Sequence, residues 1–146
     1  MKTFIKSSVI ALSLFATNVA QAQPAEKLVT IVTSPEAQTQ LMAMVLTFQA
    51  VQQGAQAHIL LCGPAGNMAL KDAPDSVLAP QKPRDMSSHG LMSMILEKTS
   101  TTAEVCAIYL PNAELQADAL IEGVTPANPE EMAARLLADD TRIMSF

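Results

Sequence analysis

The sequence predicts an α/β fold in which a mostly parallel sheet of five strands carries helices on both faces. Two observations lead there. Short β-branched runs alternate with segments whose apolar residues recur at helical spacing, in the order β-α-β-α-β-α-β-α-β. The turns between them are marked by Ser, Asn, Pro and Gly at positions that start or stop helices.

Leu28-Val-Thr-Ile-Val-Thr33 is a β-branched run and reads as a buried strand. Ser34 is the expected N-cap of the next helix, with Pro35 in its first turn and Glu36 against the positive end of the dipole. Leu41, Met44, Val45 and Phe48 supply its apolar stripe, and Gly54 closes it. Ala57-His-Ile-Leu-Leu-Cys62 is the second strand, broken by Gly63-Pro-Ala-Gly-Asn67. A long polar connection follows, with Pro74, Pro80 and Pro83, and its length suggests a cover. Ser87 or Ser88 caps a helix whose inner stripe is Leu91, Met94 and Ile95, ending on Lys98.

Glu104 to Leu110 is the expected third strand, carrying Cys106 and ended by Pro111 and Asn112. Ala113 to Leu120 reads as a short helical turn and Ile121-Glu-Gly-Val-Thr125 as a short fourth strand. Asn128-Pro129-Glu130-Glu131 combines an N-cap, a proline at the first position and a glutamate three residues after the cap. Met132, Leu136 and Leu137 are the inward residues of that helix, and Thr141 to Phe146 forms the last strand.

Residues 1–22 have the pattern of a secretory signal peptide. Lys2 and Lys6 form a positive region, a short apolar stretch follows, and Ala20-Gln21-Ala22 is an A-x-A cleavage signature. The expected product is one domain, residues 23–146, in the periplasm or secreted, with no membrane attachment after cleavage. Loss of Lys2 and Lys6 leaves seven Lys and Arg against fourteen Asp and Glu, a net charge of −7. That balance argues against nucleic acid and anionic lipid surfaces as partners. Aromatic residues make up 3% of the chain and Trp is absent, which leaves little to stack on bases or sugars.

The chemistry rests on few residues. Cys106 sits where a strand runs out toward a loop, the edge at which α/β proteins bind ligands and react. A following helix start favours an anion, which suits a nucleophilic thiolate or a persulfide. Its bland counterpart is a small apolar residue within a strand. Cys62, at the end of another strand, reads as a buried thiol. A Cys62–Cys106 disulfide would require Cα atoms within roughly 7 Å. Met86, His89, Met92 and Met68 offer soft sulfur and imidazole ligands for Cu(I), against core methionines beside a solvent-facing histidine. Only His89 and Met92 share a helix face, so no metal residue is assigned. His58, in an apolar strand, is expected to be satisfied or surface-facing, and Asp139 and Asp140 to be solvated. The chain contains no G-x-S-x-G, H-E-x-x-H, C-x-x-C or phosphate loop.

These stretches resemble the DsrE/DsrF-like family, which includes sulfur-relay subunits. The similarity runs from about Lys27 to Phe146. It is carried by the opening strand with the helix after Ser34, by Glu104-Val-Cys-Ala-Ile-Tyr-Leu, and by Leu120-Ile-Glu-Gly-Val124 with the closing Asp140-Thr-Arg-Ile-Met-Ser-Phe146. The resemblance implies a three-layer α/β/α fold, flavodoxin-like in outline, with a parallel five-stranded sheet and assembly into trimers or hexamers. It also implies that Cys106 accepts sulfur as a persulfide and passes it between a donor and an acceptor partner without a cofactor. It assigns no role to Cys62. The chain reads as an exported sulfur carrier rather than a turnover enzyme. The alternatives are a binding or assembly protein on the same fold, and a soft-metal binder.

Overall fold

The computed structural model describes residues 26–146. The proposed signal peptide, residues 1–22, lies outside the described residues. The chain runs β1 (Lys27–Val32), α1 (Ala37–Gln52), β2 (Gln56–Leu61), a 3-10 segment (Gly63–Ala69), α2 (Asp75–Leu78), α3 (Ser88–Lys98), β3 (Thr102–Val105), α4 (Tyr109–Asn112), a second 3-10 turn (Ala117–Ala119), β4 (Val124–Pro126), α5 (Pro129–Leu136) and β5 (Thr141–Ser145). The strands form one five-stranded sheet in the order β4-β3-β2-β1-β5. Every pairing is parallel, as the alternation of strands and helices predicts.

Register fixes which side chains share a face. Val29 pairs with His58 and His58 with Thr102; Ile31 pairs with Leu60 and Leu60 with Glu104. On one side Ile59, Leu61, Ala103 and Val105 pack with Met44 of α1 and with Leu91, Met92 and Ile95 of α3 in the main core. On the other, Leu60 packs with Ala127 and Met132, and Ile31, Cys62, Cys106 and Leu136 border that smaller cluster. α5 therefore covers the second face, as expected for a sheet buried on both sides.

Several boundaries and faces differ from the sequence reading. α1 begins at Ala37, with Glu36 rather than Ser34 at the N-cap position. Ser34 instead turns the chain just before it, its Oγ accepting from the Glu36 amide at 3.1 Å. The fully buried face of α1 is Gln40, Ala43, Met44 and Thr47. Leu41, Val45 and Phe48 are only partly buried, because they flank a groove shared with Leu91 and Met94 of α3. Two polar residues tolerate the core because partners are waiting. Gln40 Nε2 donates to the Ser34 carbonyl at 2.8 Å, and its Oε1 accepts from Ser88 Oγ at 3.1 Å. Thr47 Oγ1 donates to the Ala43 carbonyl at 2.8 Å, so Thr30 donates to Thr47 across 2.7 Å.

Ser87 is the cap of α3, accepting from the Gly90 amide at 3.1 Å. Asn128 caps α5, accepting from Glu130 at 2.9 Å and Glu131 at 3.4 Å. Leu137 is not inward: it is the C-cap of α5 and 82% exposed, because the helix stops one residue earlier. The long connection between β2 and α3 packs through Val77 and Met86 onto the core, and Pro83 lines a groove facing α1 and α3. It is a cover for that helical layer.

Candidate functional site

The third strand stops at Val105, well short of the expected Leu110. Its neighbour β2 also stops, at Leu61, so residues beyond Val105 have no full strand to pair with. One further rung forms, the Cys106 amide donating to the Leu61 carbonyl at 2.8 Å. The chain then turns, the Tyr109 amide donating back to the Cys106 carbonyl at 2.8 Å, and α4 begins. The turn buries Tyr109 and Leu110, apolar surface that a straight strand would have carried past the sheet edge. Pro111 is tolerated because it lies in the first turn of that helix, where its missing amide costs nothing.

Cys106 thus stands immediately beyond a strand end, half-buried. Cys62 stands at the equivalent place beyond β2, its amide donating to the Val32 carbonyl at 2.9 Å. It is half-buried too, and it is not the isolated buried thiol expected of it. The two residues form a disulfide, with Cα atoms 5.0 Å apart and a sequence separation of 44. A motif scan misses the pair because the parallel register, and not local spacing, brings the residues together.

The pair lies against Leu60, Ala127 and Met132. The residues that follow the two cysteines line a cleft of about 380 Å³, which neither cysteine itself lines: Gly63 and Pro64 after Cys62, Ile108 and Tyr109 after Cys106, with Asn67 and Asn112. Ile108 is 71% exposed at its rim, and the Tyr109 hydroxyl donates to Asn67 Oδ1 at 2.8 Å. Burial of the phenol raises the Tyr109 pKa, so the hydroxyl remains a donor at neutral pH.

Below the cysteines, on the same face, lies a second polar group that the sequence reading missed. His58 Nδ1 is 2.7 Å from Thr102 Oγ1, and Nε2 is 3.0 Å from Glu104 Oε2. Nε2 is out of line with the carboxylate for a hydrogen bond. Burial therefore dominates, and with the nearby Arg135 it lowers the imidazole pKa to about 4. Burial also raises the Glu104 pKa, opposed by Arg135 and reinforced by Glu131. His58 is buried and neutral at pH 7, with Nδ1 bonded to Thr102 and Nε2 left without a hydrogen-bond partner.

Met68 and Met92 are fully buried in the main core, and Met86 packs against it. His89 Nδ1 donates to the Met68 carbonyl at 2.9 Å, an attachment to backbone and not to sulfur. Among the described residues no three of His, Cys, Asp and Glu are grouped to hold a metal ion. Asp139 and Asp140 are exposed, and Asp140 pairs with Lys27 at 2.8 Å. Among the described residues no helix is long and apolar enough to cross a membrane.

No family model matches the sequence, and no curated protein does. Solved structures do match the fold. The ychN protein from E. coli superposes with a TM-score of 0.65 at 18% identity, over 83% of this chain and 99% of that one. MTH1491 from Methanobacterium thermoautotrophicum, described as a protein of unknown function, superposes with a TM-score of 0.61 at 11% identity, again over 83% and 99%. The five-stranded parallel α/β architecture described above is the fold this chain shares with both.

Proposed function

We propose that the chain is an exported carrier of sulfane sulfur, with Cys106 as the acceptor thiol. The observation that carries this reading is the position of Cys106: half-exposed, one residue beyond a strand end, joined to a second cysteine beside an open cleft. Strand C-terminal edges are where parallel α/β folds place reactive groups. The likeness of the fold to DsrE-like proteins supports the same reading, and the pattern of residues 2–22 supports export.

The cycle starts when an external dithiol opens the Cys62–Cys106 disulfide. The Cys106 thiolate then attacks the outer sulfur of a persulfide or polysulfide donor, forming a Cys106 persulfide and releasing the donor as a thiolate. A partner thiolate takes the outer sulfur and restores the Cys106 thiolate. No cofactor takes part. Assembly into trimers or hexamers belongs to this reading and is checked by sedimentation of the mature chain.

The test is intact mass after reduction and exposure to a small persulfide. Gain of one sulfur atom by Cys62→Ser, reversed by dithiol and absent from Cys106→Ser, is the expected result. A second reading, a binding or assembly protein stapled by the disulfide, is favoured by the packing of both cysteines on Leu60, Ala127 and Met132. It predicts that no cysteine takes up sulfur.

A further inference from the structure

We propose that Cys62 is a resolving thiol that discharges the Cys106 persulfide within the same chain, so that the loaded protein releases hydrosulfide and closes to the disulfide. This inference rests on the carrier reading above and adds to it the fate of the sulfur.

The geometry is set by the sheet. Leu61 pairs with Val105 in the last regular rung, and the next residue on each strand is a cysteine. Backbone bonds anchor both positions, from Cys62 to Val32 and from Cys106 to Leu61. The 5.0 Å between the Cα atoms is therefore a property of two adjacent parallel strands and not of a mobile loop. A persulfide formed on Cys106 places its inner sulfur within bonding reach of the Cys62 sulfur, because that is the same sulfur to which Cys62 is joined in the disulfide. No external thiol has a comparable effective concentration. The outer sulfur has a way out, since both cysteines are half-exposed.

The chemistry balances. The Cys62 thiolate attacks the inner sulfur of Cys106–S–SH. The Cys62–Cys106 bond forms, the bond to the outer sulfur breaks, and the outer sulfur departs as HS⁻. The sulfane sulfur gains two electrons, and the two cysteines lose them. A low-pKa leaving group such as hydrosulfide favours this direction over return of sulfur to the donor. An external dithiol reopens the disulfide through two exchange steps and is the terminal reductant. A partner thiol obtains intact sulfur only if it reaches the outer sulfur before Cys62 reaches the inner one.

The experiment uses the full chain, reduced with a small dithiol, freed of it without oxygen, and mixed with one equivalent of glutathione persulfide. Released hydrosulfide and intact mass are read together for the wild type, Cys62→Ser, Cys62→Ala and Cys106→Ser. We expect the wild type to release one hydrosulfide per chain and to finish two hydrogens lighter than the dithiol. Cys62→Ser and Cys62→Ala should each hold one extra sulfur atom and release none, and Cys106→Ser should do neither. If the wild type holds its extra sulfur as long as the Cys62 variants do, Cys62 is not a resolving thiol, while the carrier reading stands. If Cys106→Ser holds the sulfur, or the Cys62 variants hold glutathione in its place, the assigned roles are wrong. If no variant takes up sulfur and the wild type releases none, the carrier reading itself fails.

Discussion

Tyr109 lies with its ring edge against the backbone of Gly66, so close that a Cβ at Gly66 would overlap Cε2 and Cδ2 of the ring. The ring is an anchor and not a flexible tip, because its hydroxyl is bonded to Asn67 and the residue is buried. Gly66→Ala should therefore force the ring and α4 to shift. The expected cost is about 2 kcal/mol, in the range found for overpacked cores. Thermal unfolding of the purified variant measures it. An unchanged midpoint would mean that α4 moves freely, and with it the wall of the cleft beside Cys106.

Opening the disulfide should destabilise the chain. A bond across a sequence separation of 44 removes enough freedom from the unfolded chain to contribute roughly 4 kcal/mol in the chain-entropy view. Urea unfolding with and without a dithiol should show a lower midpoint in the reduced protein. Cys62→Ser, which cannot form the bond, should show no dependence on dithiol.

Acidification should weaken the fold through His58. In the unfolded chain the imidazole takes its proton near 6.5; in the folded chain it does so only near 4. The unfolded state binds more protons across that window, so stability is full above it and falls as pH drops through it. Allowing for partial screening, the loss is about 2 kcal/mol. Glu104 acts in the opposite sense. Its raised pKa means that the folded chain takes up the carboxyl proton first, which returns part of the stability in the carboxylate range. Urea midpoints at pH 7 and pH 5 should differ in the wild type and converge in His58→Gln.

Asn128→Ala should cost about 1 kcal/mol, because the side chain satisfies the first free amides of α5 at Glu130 and Glu131. Asn128→Ser should recover most of it. α5 covers the face that carries the cysteine pair, so Asn128→Ala should also speed alkylation of the reduced cysteines; an unchanged rate would show that α5 does not shield them.

The sequence by itself determined the class of fold. Alternation of β-branched runs with helical spacing, together with caps such as Ser87 and Asn128, is local information, and the parallel five-stranded sheet follows from it. Local signals also marked Cys106 as a residue at a strand end. Tertiary structure decided the rest. Ala107 to Leu110 has the composition of a strand, yet it turns into α4, because β2 offers no partner beyond Cys62 and the core offers burial for Tyr109 and Leu110. The stripe on α1 turned toward Gln40 and Thr47 because Ser34, Ser88 and Thr30 supply their hydrogen bonds, and no local pattern carries that fact. Above all, the pairing of Cys62 with Cys106 comes from the register of two parallel strands, a non-local quantity that the spacing of the cysteines in the chain does not encode.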